Sequence, residues 1–367
     1  MMKMFSDEIL TFANGDVDYF VAFKDYYNHY NKVNMSRSLG EFDQSVSLDE
    51  KDDKISKAFF REVEKRAGLE RTELNKESWA SNPNVGWAAL AVIGATINAV
   101  LPATINPSIG LYTDLRYAGY GDMVNFKIKP KTLYTVSKGA HGERVTFRQK
   151  KYDGNLQLMP IEHIITTYVD MYKVLAGKEN LAEFVRLVVY SIETEMTKEA
   201  TNALTTGMTA STYPTQLNVS GAFSAETLVT LAETVEAYNF GARPIIAGTA
   251  TALMKVPTDA SLNLRGIFDA EGGRIGLVKD FYGYDLLRLP QVATGNYSNF
   301  GLALDPDTLY IISPAMDKLV KGVVSTSLTN SNQFYDNADI TQNFTMRKDF
   351  DFAFVSGAWG GIYKITD

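Results

Sequence analysis

"GDMVNFKIKPKTLYTVSKGAHGERVTFRQKK", residues 121–151, decides how the chain is read. From Asn125 onward it holds Lys127, Lys129, Lys131, Lys138, Arg144, Arg148, Lys150 and Lys151 against one acid, Glu143, a local charge of +7 in a chain of net charge −7. Phe126 and Ile128 alternate with the outgoing lysines, and Val145 and Phe147 alternate with Arg144, Arg148 and Lys150 on the return. Successive strand side chains face opposite ways, so the spacing predicts a β-hairpin with a basic face and a narrow apolar one, turned at the glycine-rich "SKGAHG". A two-stranded ribbon of roughly 40 Å is marginal alone, and its lysines repel one another. The remaining residues carry −14, so acidic surface is available on other copies. A solvated hairpin and a nucleic-acid finger are the competing readings. Few aromatics accompany the charges, and the protein is acidic overall, which favours an arm between subunits over phosphate binding.

On the N-terminal side, "MMKMFSDEIL" brings Asp7 and Glu8 before any apolar run, so no signal peptide is expected. Val17, Phe20, Val21, Tyr27 and Tyr30 fit a short amphipathic helix that must dock on its own domain or on a neighbour. Residues 48–77 predict a charged helix with Ile55, Phe59, Val63 and Arg66 at helical spacing. The run from Val85 to Val100 carries Gly86, Gly94, Thr96 and Asn98 and stops at Pro102, which predicts a buried helix rather than a membrane span. Turns leading into a strand follow.

On the C-terminal side, Ile161, Ile164, Ile165, Tyr168, Val169, Tyr172 and Leu175 predict a helix ended by Gly177. A second and longer helix is expected over about 179–205, closed by Gly207. A Ser/Thr/Gly-rich connector, 206–222, marks a boundary. Beyond it come a helix capped by Ser224, a strand at "RPIIAG", a short helix "TATALMKV" and a hairpin within "GRIGLVKDFYGYDLLRLPQV". "TLYIIS" reads as a buried strand, "PAMDKLVKG" as a short helix, and the tail from Ile340 as two strands. The class is α+β.

Catalytic chemistry has no sequence signature here. With 367 residues and 45% hydrophobic content a sizeable core is available, but zero cysteines exclude disulfides, thiolate metal sites and a cysteine nucleophile. His29, His141 and His163 are far apart in sequence, with His163 placed in the first turn of its expected helix. Asp336, Asp339, Asp349 and Asp351 lack calcium-loop spacing. No P-loop, G-x-S-x-G or complete G-x-G-x-x-G occurs, so no catalytic residue, cofactor or metal is assigned.

The order of these parts resembles the HK97-fold major capsid protein of tailed bacteriophages. "GDMVNFKI" at 121–128 is similar to the Gly-Asp-x-Val-x-Phe-x-Ile start of that family's extended loop. The resemblance implies an N-terminal arm over 1–80, a peripheral domain from 81–120 and 159–221 containing a spine helix, and the extended loop at 121–158. An axial domain at 222–322 and returning peripheral strands at 323–367 complete it. It implies a structural protein, not an enzyme, whose copies form the hexamers and pentamers of an icosahedral shell around double-stranded DNA held without sequence-specific contacts. Scaffolding, portal and cement proteins are the further partners implied, with no membrane. The place is the virion, after assembly in the host cytoplasm. The expected subunit contacts are Lys127, Lys129, Lys131, Lys138, Arg144, Arg148 and Lys150 on the loop and Phe20, Phe23 and Tyr27 on the arm. No partner for a covalent lysine–asparagine cross-link stands out. The alternatives are an encapsulin-type compartment around protein cargo and, behind it, a soluble enzyme or binding protein with the hairpin as a lid.

Overall fold

The structure is a computed structural model describing residues 18–35, 37–69, 82–119, 121–128, 148–150, 153–169, 181–256, 280–293, 300–335, 342–355 and 357–366, with isolated positions between 129 and 147.

Three helices open the described chain: α1 (Tyr19–Met35), α2 (Leu48–Ala67) and α3 (Pro83–Ile109). Ser47 caps α2 by accepting from the Glu50 backbone N–H, Asp49 and Glu50 sit in its first turn, and Gly68 ends it at φ 71°. Its Ile55, Phe59 and Val63 are buried, as their spacing required. In α1 the buried face is instead Tyr19, Ala22, Phe23, Tyr26 and Tyr27, leaving Val21 exposed. Aromatics surround this helix, and the face that wins is the one whose Tyr19 meets Phe59 of α2, ring centroids 5.8 Å apart. The third helix continues past Pro102, where a stop was expected, because an interior proline removes a backbone bond without ending every helix. Its segment Asn84–Leu101 is long and apolar enough to cross a membrane, yet 65% of it is buried inside the fold.

Strands β1 (Thr113–Ala118), β2 (Val124–Ile128), β3 (Gly154–Leu158) and β4 (Ile161–Val169) follow, then the 29-residue helix α4 (Leu181–Thr209), about 43 Å long at 1.5 Å per residue. The helix expected from Ile161 is strand β4 wherever it is described. Its Ile, Thr and Val content favours a pleated strand, and this outweighs an incidental i, i+3, i+4 spacing. Gly207 does not close α4 but lies within it. A β-carbon there would overlap the Phe354 ring, so glycine is demanded by packing rather than by a helix end.

The chain then builds β5 (Asn218–Gly221), α5 (Ala225–Tyr238), β6 (Ile245–Gly248), α6 (Ala250–Met254), β7 (Asp280–Phe281), β8 (Tyr284–Arg288) and β9 (Thr308–Ile312). It closes with β10 (Val320–Tyr335), β11 (Gln342–Phe354) and β12 (Gly361–Ile365). Ser224 does cap α5, accepting from the Thr227 N–H at 3.3 Å. "PAMDKLVKG" is not a helix: Asp317 accepts from Gly357 N–H at 2.9 Å, Lys318 donates to the Leu111 carbonyl at 2.8 Å, and β10 begins at Val320.

One sheet runs β1-β10-β11-β4, with β1 parallel to β10 and the other pairs antiparallel. Helices α3 and α4 cover its inner face through Val320, Val324, Met346 and Phe350. A six-stranded sheet runs β5-β12-β9-β6-β8-β7. One of its faces packs on α5 and α6 through Leu309, Ile311 and Tyr363, the other on the main core through Tyr310, Ile312 and Ile362. The last strand belongs to the second sheet: β12 pairs with β5 and β9.

Candidate assembly surfaces

The base of the basic hairpin is a ribbon of β2 and β3, in register from Val124↔Leu158 to Ile128↔Gly154. The paired return strand is thus 154–158, and Arg148 and Lys150 are exposed outside any strand. Phe126 is buried in a satellite core with Ala118, Leu158 and Val323, which glues the ribbon to the outer face of β10. Arg116 clamps the joint: its guanidinium lies 4.5 Å from the Phe126 ring centre, and its Nη1 donates to the Asn125 carbonyl at 3.1 Å. Lys127, between two inward residues, is exposed, as is Lys138. Lys129, Lys131 and Arg144 lie outside the described residues. Sequence reasoning missed Arg116, although a lone basic residue in "TDLRYA" opposite a hairpin aromatic is the signal that would have found it.

The arm aromatics have a different fate. Phe23 and Tyr27 are buried among the chain's own residues, so neither faces a second subunit. Phe20 is half-buried, with Arg66 over its ring at 5.5 Å. Helix α1 and Arg37 just after it dock on α4 through polar contacts: Tyr190 donates to Asn31 Oδ1 at 2.6 Å, and Arg37 pairs with the buried Glu193 at 2.6 Å. Burial works against the Arg37 charge, but the Glu193 hydrogen bond and charge outweigh it and raise its pKa. Lys51, fully buried on α2, donates to Asp25 at 2.5 Å and to the Asp43 carbonyl at 2.6 Å, joining α1, α2 and their connector. Burial would lift the Asp43 carboxyl, but the Ser45 hydroxyl and backbone N–H, with Lys51, hold it below the ordinary carboxylate range.

Between α4 and the β4/β11 edge a pocket of about 390 Å³ is lined by His163, Ile165, Ile192, Met346, Lys348 and Phe350. His163 is on a strand, not in a helix turn. It stacks on Phe350 at 3.7 Å and meets Glu199 of α4 at 2.8 Å. Lys348 reaches Asn98 Oδ1 at 2.8 Å, and burial pulls its pKa down to about 8 against the opposing charge of Asp349. Among the described residues no three His, Cys, Asp or Glu side chains are grouped to hold a metal ion. Of the acidic group near the end, Asp349 and Asp351 lie on β11, while Asp336 and Asp339 lie outside the described residues. His163 and Lys348 tie helix to sheet through these contacts.

A family model described as "SPbeta prophage-derived putative capsid protein YonB" matches residues 28–364. No curated protein matches the chain. Among solved structures, a phage-related protein from Bordetella bronchiseptica aligns with a TM-score of 0.49 at 14% identity, over 75% of this chain and 96% of that one. The mature capsid of bacteriophage PhiM1 aligns at 0.47 and 12% identity, over 70% and 86%. The capsid of cyanophage P-SCSP1u aligns at 0.46 and 13% identity, over 70% and 87%.

Proposed function

Because the chain belongs to the YonB family of prophage-derived capsid proteins, a family of shell-forming structural proteins, we propose that it is the major head subunit of a tailed phage of HK97 fold, closing with many copies of itself into an icosahedral shell around double-stranded DNA. The observation that carries this reading is the extent of the family match, 28–364, which takes in the ribbon, the long helix α4 and both sheets. The ribbon supports it: an exposed basic arm, anchored by Phe126 and Arg116 on an otherwise acidic subunit, is built to lie across a neighbouring copy. An acidic subunit also leaves packaged DNA free to move.

Purified protein examined by sedimentation and electron microscopy tests the reading. Closed shells are expected, and a stable small oligomer under assembly conditions overturns it. Reversal of Lys127, Lys129 and Lys131 to Glu is expected to leave the subunit folded and to weaken assembly in a salt-dependent way. Particle contents separate a DNA-filled head from a protein-filled compartment.

A further inference from the structure

Three non-glycine residues among those described have positive φ, and all three are exposed aromatics: Phe240 at 60°, Tyr282 at 48° and Phe300 at 40°. Their exposures are 57%, 55% and 80%. Phe240 follows the end of α5, where the Gly241 N–H reaches back to the Glu236 carbonyl at 2.9 Å. This is the left-handed helix-ending position that glycine usually fills. Tyr282 and Gly283 form the two-residue turn between β7 and β8, with Phe281 opposite Tyr284. Both turn residues have φ above zero, the geometry that Asn-Gly favours. At each site local chemistry asks for Gly or Asn and a large ring stands there instead, held out toward solvent. Backbone strain of this kind persists where a side chain has work to do.

The first two rings belong to one rim. Tyr284 donates to Glu236 at 2.9 Å, and Arg243 lies 3.7 Å from Asp285, so two polar links join the end of α5 to the turn beside it. A β-carbon added at Gly241 or Gly283 would meet nothing within 4 Å, so open space flanks each ring. The rim is acidic on balance: Glu233 and Glu236 near the end of α5 and Asp285 on β8 stand against Arg243. That disfavours nucleic acid or an anionic membrane as the occupant, whereas every other copy of the chain offers a segment of charge +7.

We propose that Phe240 and Tyr282 are contact residues through which the rim between α5 and the β7–β8 turn holds another copy of this chain, an inference that rests on the shell-forming reading above. Each ring carries apolar area at low conformational cost, and a strained but fixed turn presents it in one place.

The test uses the full chain. In Phe240→Gly with Tyr282→Asn, the Tm of the unassembled subunit is expected to stay level or rise, because the strain is removed. The concentration needed for assembly is expected to rise about tenfold or more, the ratio that 1.4 kcal/mol corresponds to. Because the chain has no cysteine, Tyr282→Cys supplies a single thiol. Maleimide is expected to label it in the free subunit and to be excluded in assembled particles. Unchanged assembly of the double variant, or equal labelling in both states, overturns the contact while leaving the shell reading intact. A wild-type chain that never assembles overturns both.

Discussion

The two sheets of this molecule differ in how many faces they bury. In the six-stranded sheet every residue of β9 is buried, because α5 and α6 cover one side while the main core covers the other. In the four-stranded sheet α3 and α4 cover the inner face, and among the described residues the ribbon base covers the β10 side of the outer face. Along β4 and β11 the described outer face is polar, with Arg347 on Glu162 at 2.8 Å and Thr166 against Thr345 at 3.3 Å. A strand buried twice is a stability element, whereas a strand buried once leaves a surface on which charge can change at little cost.

Substitutions can break that contrast in order of size. Tyr310→Ala in β9 should cost about 3–5 kcal/mol, since the ring is fully buried between two layers; denaturant titration of the unassembled subunit measures it. Tyr310→Phe, which removes only the hydroxyl shared with Thr205 at 3.1 Å, should cost about 1 kcal/mol. Gly207→Ala should cost about 1–3 kcal/mol by pushing the helix off Phe354, and Phe354→Leu in the same chain should recover part of it. If the two changes prove additive, the overlap is not the cause.

Lys348, under the inner face of the once-covered sheet, sharpens the contrast through pH. Its folded pKa of about 8 lies below the ordinary lysine value of 10.5, so the unfolded chain holds the proton more tightly. Stability should therefore rise as pH climbs from about 8 to 10.5 and be unaffected by this group at lower pH. Lys348→Met should abolish that rise, read from denaturation midpoints across the interval. The smallest effect belongs to the polar face: Arg347→Gln should change stability by about 1 kcal/mol or less.

The same difference explains what could be read from the residues. "TLYIIS" announces a twice-buried strand as an unbroken apolar run, and Ser224 announces a helix start by the hydrogen bond that it makes. β4 escaped because three isoleucines at 161, 164 and 165 satisfy a helical spacing by accident, and only pairing with β11 along its length reveals the strand. β10 escaped too: its second half, "STSLTNSNQFY", is polar and bulged between Val324 and Leu328 and between Ser331 and Phe334. The basic charge of the ribbon was legible from composition alone. Which arm aromatics remain free was not, since Phe23 and Tyr27 are chosen for the core by the neighbours that α2 and α4 supply. Nor does a sequence carry φ, so "FG" and "YG" pairs look ordinary until the backbone shows what they cost.

The chain crosses between the two sheets three times: after α4, before β10, and again between β11 and β12. A single linker would let the halves swivel, and a pair would act as a door hinge. Three covalent crossings, with Phe354 wedged on Gly207 beside them, resist twist about any one axis. Torque applied at the outer turns of the six-stranded sheet is thus carried to the four-stranded sheet and the ribbon on it, and the subunit behaves as one lever.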